Sequence, residues 1–202
     1  GFVVGFEREH RLLRYPSGTG RPDGVPVFVP PPPDLDKAPF NGGIEALVVL
    51  RGGALFALTE YWIDRDVVVG WTGGPDRWKR LGLRFEAALR PADAAALPRG
   101  DILVLERAYN PDRGIVNVRV REIARSFVRP GSPLGGRLVA EFAPPLTLDN
   151  FEGIAAVQRA AARFEAPLRA RVDAGSTRAG ELGEELRSLG AARVVVGEGP
   201  GH

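Results

Sequence analysis

The chain has 202 residues, 44% of them hydrophobic, and a formal net charge of +2. That length and composition suit a globular domain with a substantial core, and no Lys/Arg run forms a nucleic-acid tract. No apolar stretch approaches the roughly 18 residues of a membrane span, and the absence of Cys excludes disulfides, thiolate metal sites and Cys nucleophiles.

Met is absent as well, and Gly1-Phe-Val-Val opens directly on strand-like residues. We therefore expect the natural start, and any signal peptide with it, to lie upstream. Glycine (26) and proline (18) are plentiful, which favours turns over long helices. The arginine excess over Lys37 and Lys79 is read as coding bias.

Residues 1–15 predict a hairpin, with Phe2 to Phe6 apolar and Leu12, Leu13 and Tyr15 following. A loop rich in Pro and Gly covers 16–40. Within it, Pro30 to Pro33 predicts a short polyproline II segment, read as a stiff connection in preference to a ligand for a Pro-binding module. Strands at 44–50 and 54–60 meet at Arg51-Gly-Gly53, where Gly supplies the positive φ that a tight turn needs. Residues 94–97 and 101–107 repeat that plan around Pro98-Arg-Gly100. From Ile115 to Ile123, apolar residues alternate with Asn117, Arg119 and Arg121, which marks a half-buried antiparallel strand. Leu138 to Phe142 is another. No βαβ alternation appears, so a parallel sheet is not expected. From about Arg159 the composition turns to Ala, Arg, Gly and Glu, and 180–189 has the pattern of a short amphipathic helix.

Two echoes run through this order. Asn41-Gly-Gly-Ile-Glu-Ala-Leu47, Pro91-Ala-Asp-Ala-Ala-Ala-Leu97 and Asp149-Asn-Phe-Glu-Gly-Ile-Ala155 each set an acid at the head of a small or apolar run, and the acids lie 48 and 59 residues apart. Phe2-Val-Val-Gly-Phe-Glu-Arg8, Leu55-Phe-Ala-Leu-Thr-Glu60 and Ile102-Leu-Val-Leu-Glu-Arg107 are apolar strands that end in an acid. Self-similarity at about 40–50 residues is the signature of a propeller or solenoid. We therefore expect an all-β, β-propeller-like fold, incomplete at three to four blades' worth, with an irregular or partly helical tail.

On a propeller blade, the head of the first strand and the end of the second meet at one rim. Glu45, Asp93 and Glu152 would head first strands, and Glu7, Glu60 and Glu106 would end second strands. Crowded carboxylates raise one another's pKa unless something compensates. One compensation is a hard cation such as Ca²⁺, which takes oxygen ligands, with Asn41, Asn110, Asp149 and Asn150 nearby in sequence. Arginine is the other, since Arg8 and Arg107 directly follow Glu7 and Glu106. Glu45 and Glu152 are read as site residues, Glu60 and Asp93 as structural or solvated. Trp62, Trp71 and Trp78 are read as packing residues. A Ser–His–Asp triad would need His10, which stands in a charged stretch and is read as a solvated strand residue; no Gly-x-Ser-x-Gly elbow is present.

Taken together, Phe2-Val-Val-Gly-Phe-Glu-Arg-Glu-His-Arg11, Asn41 to Leu47, Ala94 to Arg107 and Asp149 to Ala155 resemble the hallmark segments of the bacterial phytase-like family, described by an esterase-like activity of phytase. The resemblance covers residues 1–158 in the expected order and leaves 159–202 as a divergent segment. It implies a propeller-like, exported (periplasmic or secreted) hydrolase, monomeric when complete, acting on a small anionic ester or phosphoester. On the matching acids, Glu45, Glu106 and Glu152 are the expected catalytic residues. Arg8 and Arg107 are the expected substrate clamps, and Glu45, Asp149, Asn150 and Glu152 the expected Ca²⁺ ligands. The alternative is a non-catalytic propeller that binds a ligand or partner, its acids structural. The family's N-terminal strands and closing strands have no counterpart here. A reading-frame shift and genuine divergence account equally well for the change after Gln158.

Overall fold

The computed structural model describes residues 1–16, 24–86, 88–156 and 194–195. The helix expected at 180–189, and most of the segment 159–202, lie outside them. The chain forms two compact units, Gly1–Glu86 with Ser126–Gly135, and Ala87–Arg125 with Gly136–His202. Among the described residues the structure is all-β, antiparallel within every sheet, with only two short 3₁₀ turns. It is the incomplete propeller-like fold expected from the repeats.

The first unit holds two sheets. In one, β1 (Phe2–Phe6), β2 (Arg11–Tyr15) and β3 (Val27–Val29) pair in that order. The other is a four-stranded meander of β4 (Ile44–Val49), β5 (Leu55–Asp64), β6 (Val67–Gly73) and β7 (Lys79–Arg84). Gly52 and Gly53 take φ of +98° and +86° in the β4–β5 turn, the conformation that glycine tolerates there. The core gathers Leu12, Leu35, Ile44, Ala57, Val69 and Trp71. Trp62 stacks obliquely on Trp71 at 5.8 Å, and Trp78 Nε1 donates to the Pro30 carbonyl at 3.0 Å. The proline run is thus tied to the sheet at the Pro30 carbonyl, and Pro32 is buried. β1 runs against β4, where Gly5 comes close to Ile44.

The second unit is also a four-stranded meander: β8 (Arg90–Ala96), β9 (Ile102–Asn110), β10 (Gly114–Ile123) and β11 (Arg137–Phe142). A short pair, β12 (Ala155–Ala156) and β13 (Val194–Val195), follows, with β12 beside β8. Leu103, Leu105, Val118, Val120, Phe142, Phe151 and Ile154 form its core. Residues 102–106 of β9 are buried without alternation. Strands covered on both faces read as continuous apolar runs, and that is why Ile102 to Leu105 shows no period of two.

The two meanders share a register. A loop over 50–54 joins Val49 to its partner Leu55, and a loop of the same length over 97–101 joins Ala96 to Ile102. Each first strand then carries one extra residue, a bulge. In β4 it is Glu45, where the register shifts between Ile44 and Ala46. In β8 it is Ala92, unpaired between Pro91 and Asp93.

Candidate functional site

That shared register decides which acids are equivalent. Counting from the turns, Thr59 matches Glu106 and Glu60 matches Arg107; Glu45 matches Ala92, and Asp93 matches Ala46. The sequence echoes alone pair Glu60 with Glu106 and Glu45 with Asp93. Both pairings are off by one residue, and in a strand one residue is the other face.

In the first unit Glu7, Glu45 and Glu60 converge. Each offers a carboxylate oxygen within 4.8 Å of the other two; Glu60 is buried, and Glu7 and Glu45 are half-buried. Among the described residues, no other trio of His, Asp or Glu comes so close. The Glu7 Oε1 atom is buried with no hydrogen-bond partner. The three side chains come from three segments: the β1–β2 turn, the β4 bulge and the middle of β5. The β1–β2 turn is tight. Arg8 has φ +64°, and the Glu9 amide donates to the Glu7 carbonyl at 2.7 Å, a γ-turn of the rare, strained hand.

The other predicted acids belong to the second unit, and each is occupied. Glu106, 1% exposed, accepts two bonds from the buried Arg121, 2.9 Å from Nε and 3.2 Å from Nη2. Glu152 pairs with Arg107 at 2.6 Å, and Asn150 bonds both of them. Asp149 accepts from the Asn150 amide at 2.7 Å. Asp93 accepts from the backbone amides of Ala94 and Ile154, both at 2.8 Å. Burial pushes its pKa up from 3.8 to about 6, against the lowering by those two hydrogen bonds. Arg8 is exposed in the first unit, its guanidinium over the Phe40 ring at 5.8 Å.

His10 departs from its reading as a solvated strand residue. It sits in the turn after β1, and its Nε2 lies 3.1 Å from the Pro39 carbonyl oxygen. Its Nδ1 is buried and packs over Gly43 so closely that a Cβ on that glycine would lie 2.5 Å away. The signal available in the sequence was the second glycine of Asn41-Gly-Gly-Ile-Glu45. No turn of positive φ requires it, so a neighbour must.

A set of antiparallel sheets with a converging carboxylate trio defines a propeller-like β protein with an acidic, oxygen-rich site. The phytase-like family, described as the esterase-like activity of phytase, matches residues 1–165, and the chain belongs to it. Its described activity is hydrolase-like. No curated protein and no solved structure matches the chain.

Proposed function

We infer that the protein is a hydrolase of small anionic esters or phosphoesters, and that its reaction site is the Glu7–Glu45–Glu60 trio. The family match over residues 1–165 carries the reaction class. The convergence of the trio supports its location.

Three carboxylates repel an anionic substrate, so a site of this kind needs a cation to join the two. The donor set fits a hard one. Ca²⁺ binds oxygens at about 2.3–2.6 Å, so oxygens on one ion lie up to about 5 Å apart. One oxygen from each of the three, all within 4.8 Å of one another, falls inside that limit. Glu7 Oε1, buried and without a hydrogen-bond partner, has a free lone pair for it. When bound, such an ion polarises a phosphoryl or acyl oxygen and makes water a better nucleophile. The chain's own part is positional. Glu7, Glu45 and Glu60 hold the ligand oxygens in place, and Arg8, on the same turn as Glu7, provides a guanidinium for the substrate anion. Asn150 and Glu152 are bonded to each other and to Arg107, Asp149 accepts from the Asn150 amide, and Glu106 pairs with Arg121; in this reading those groups are structural.

The test is calcium titration by calorimetry, with turnover of p-nitrophenyl phosphate and p-nitrophenyl acetate measured with and without chelator. Chelator-sensitive turnover that Glu45→Gln abolishes and Glu152→Gln leaves intact is expected. Chelator-independent turnover would sink the cation-assisted mechanism. Absence of turnover on every ester would favour the alternative of a non-catalytic propeller, which the Arg-braced acids of the second unit favour.

A further inference from the structure

The three carboxylates lie on three separate segments, and those segments are joined at residues 39–43. The Arg8 amide, in the turn that carries Glu7, donates to the Phe40 carbonyl at 3.1 Å. His10, at the end of the same turn, bonds the preceding carbonyl, that of Pro39. The Glu60 amide donates to the Gly43 carbonyl at 3.0 Å, and Gly43 stands two residues before Glu45. Of these three bonds only one is made by a side chain.

The chemistry of that side chain is fixed by its partner. A carbonyl oxygen only accepts, so His10 Nε2 must carry the proton. The ring is then held at two points, by its Nε2–H on Pro39 and by the face of Gly43 beneath Nδ1. Any side chain on residue 43 would displace it. The γ-turn at Arg8 stores strain and needs an outside hold of this kind.

We propose that His10 is the positioning residue of the carboxylate trio: seated on Gly43 and bonded to the Pro39 carbonyl, it fixes the turn carrying Glu7 against the strand carrying Glu45. It does not itself touch substrate or cation. This role rests on the trio being the site, and it explains why two separated motifs, Glu7-Arg-Glu-His10 and Asn41-Gly-Gly-Ile-Glu45, occur together: one supplies the ring and the other its seat.

The test compares wild type with His10→Ala and His10→Gln, whose amide NH₂ can reach the same carbonyl. Two readouts are taken. The first is hydrogen exchange of the Arg8 and Glu60 amides in chelator, against amides of β6 and β7 as the internal control. The second is Ca²⁺ affinity by calorimetry. In His10→Ala the two reporter amides are expected to exchange about tenfold faster with the controls unchanged. Ca²⁺ affinity is expected to fall about tenfold or more, as it does when a group that orients a ligand is lost. His10→Gln should restore both. Should His10→Ala fail to fold, Gly43→Ala, which displaces the ring without deleting it, carries the same readouts. Unchanged exchange at Arg8 and Glu60 overturns the proposal. So does faster exchange with undiminished Ca²⁺ affinity. If wild type binds no Ca²⁺, the cation reading of the site fails, and the exchange readout alone decides the role of His10.

Discussion

The β4–β5 and β8–β9 hairpins have loops of the same length, a bulge at the same distance from the turn, and a neighbour at the same edge, β1 beside β4 and β12 beside β8. Their chemistry is opposite. The first places Glu45 in the bulge and Glu60 on the facing strand, and Glu7 joins them from the neighbouring turn. The second places Ala92 in the bulge and Arg107 at the position of Glu60, and Glu152 joins from the segment before β12. One arrangement brings three carboxylates together, and in the other an acid pairs with a guanidinium. Two copies of one backbone plan thus separate into an acidic trio and an ion pair. Acidic residues at matching places in a repeat do not have matching roles, because a bulge and a one-residue offset decide which face each occupies.

The largest expected effect tests whether the second unit's acids are structural. Arg121→Ala leaves Glu106 charged and buried, which should cost about 3–5 kcal/mol in urea unfolding. Replacing both Glu106 and Arg121 by Leu should recover most of that loss, since a buried pair often gains little over apolar packing. A loss below about 1 kcal/mol for Arg121→Ala would remove the contrast between the two hairpins.

Next in size is the pH dependence from Asp93. Its pKa is raised to about 6 in the folded protein against 3.8 ordinarily. The folded state therefore binds more protons than the unfolded chain between those values, and stability falls as pH rises through that window. Asp93→Asn removes the titration. From pH 4 to pH 7 the wild type should lose on the order of 2–3 kcal/mol relative to that variant. Parallel urea stability curves for the two proteins across this range would show that burial does not hold the Asp93 carboxyl above its ordinary range.

Much of this was legible in the sequence. The Gly52–Gly53 turn announced the β4–β5 hairpin, and the alternation from Ile115 to Ile123 announced β10. What escaped was burial on two faces and the offset of single residues. Val67 to Gly70 of β6 is apolar without a period, so it carries no strand signature of its own. β8 begins at Arg90, earlier than 94, because Pro91 sits next to the bulge, where its missing N–H is tolerated. The acids of the trio were each visible at a strand end. Their separation from Glu106 and Asp93 was not, because register is a property of pairing and leaves no mark on either strand alone. His10 was hidden for a related reason. Its partners, Pro39 and Gly43, are some thirty residues away, and one of them contributes only the absence of a side chain.

The smallest effect is also the one whose sign matters. Glu7→Gln removes one of three like charges whose oxygens lie within 4.8 Å. In chelator the variant should be more stable than wild type by about 0.5–1 kcal/mol, a rise of a few degrees in melting temperature at most, because the repulsion within the trio is offset in part by the other partners of Glu45 and Glu60. In excess Ca²⁺ the order should reverse. A ligand that binds only the folded state stabilises by an amount that grows with its concentration over its Kd, and the variant, with one oxygen donor neutralised, gains less. The two melting curves, plotted against Ca²⁺ concentration, should therefore cross. Removing Glu106 or Glu152 should give no such crossing, because each of them pairs with an arginine. A Glu7→Gln protein that is less stable than wild type at every Ca²⁺ concentration would place Glu7 among the structural acids and make the two hairpins alike in function as well as in plan.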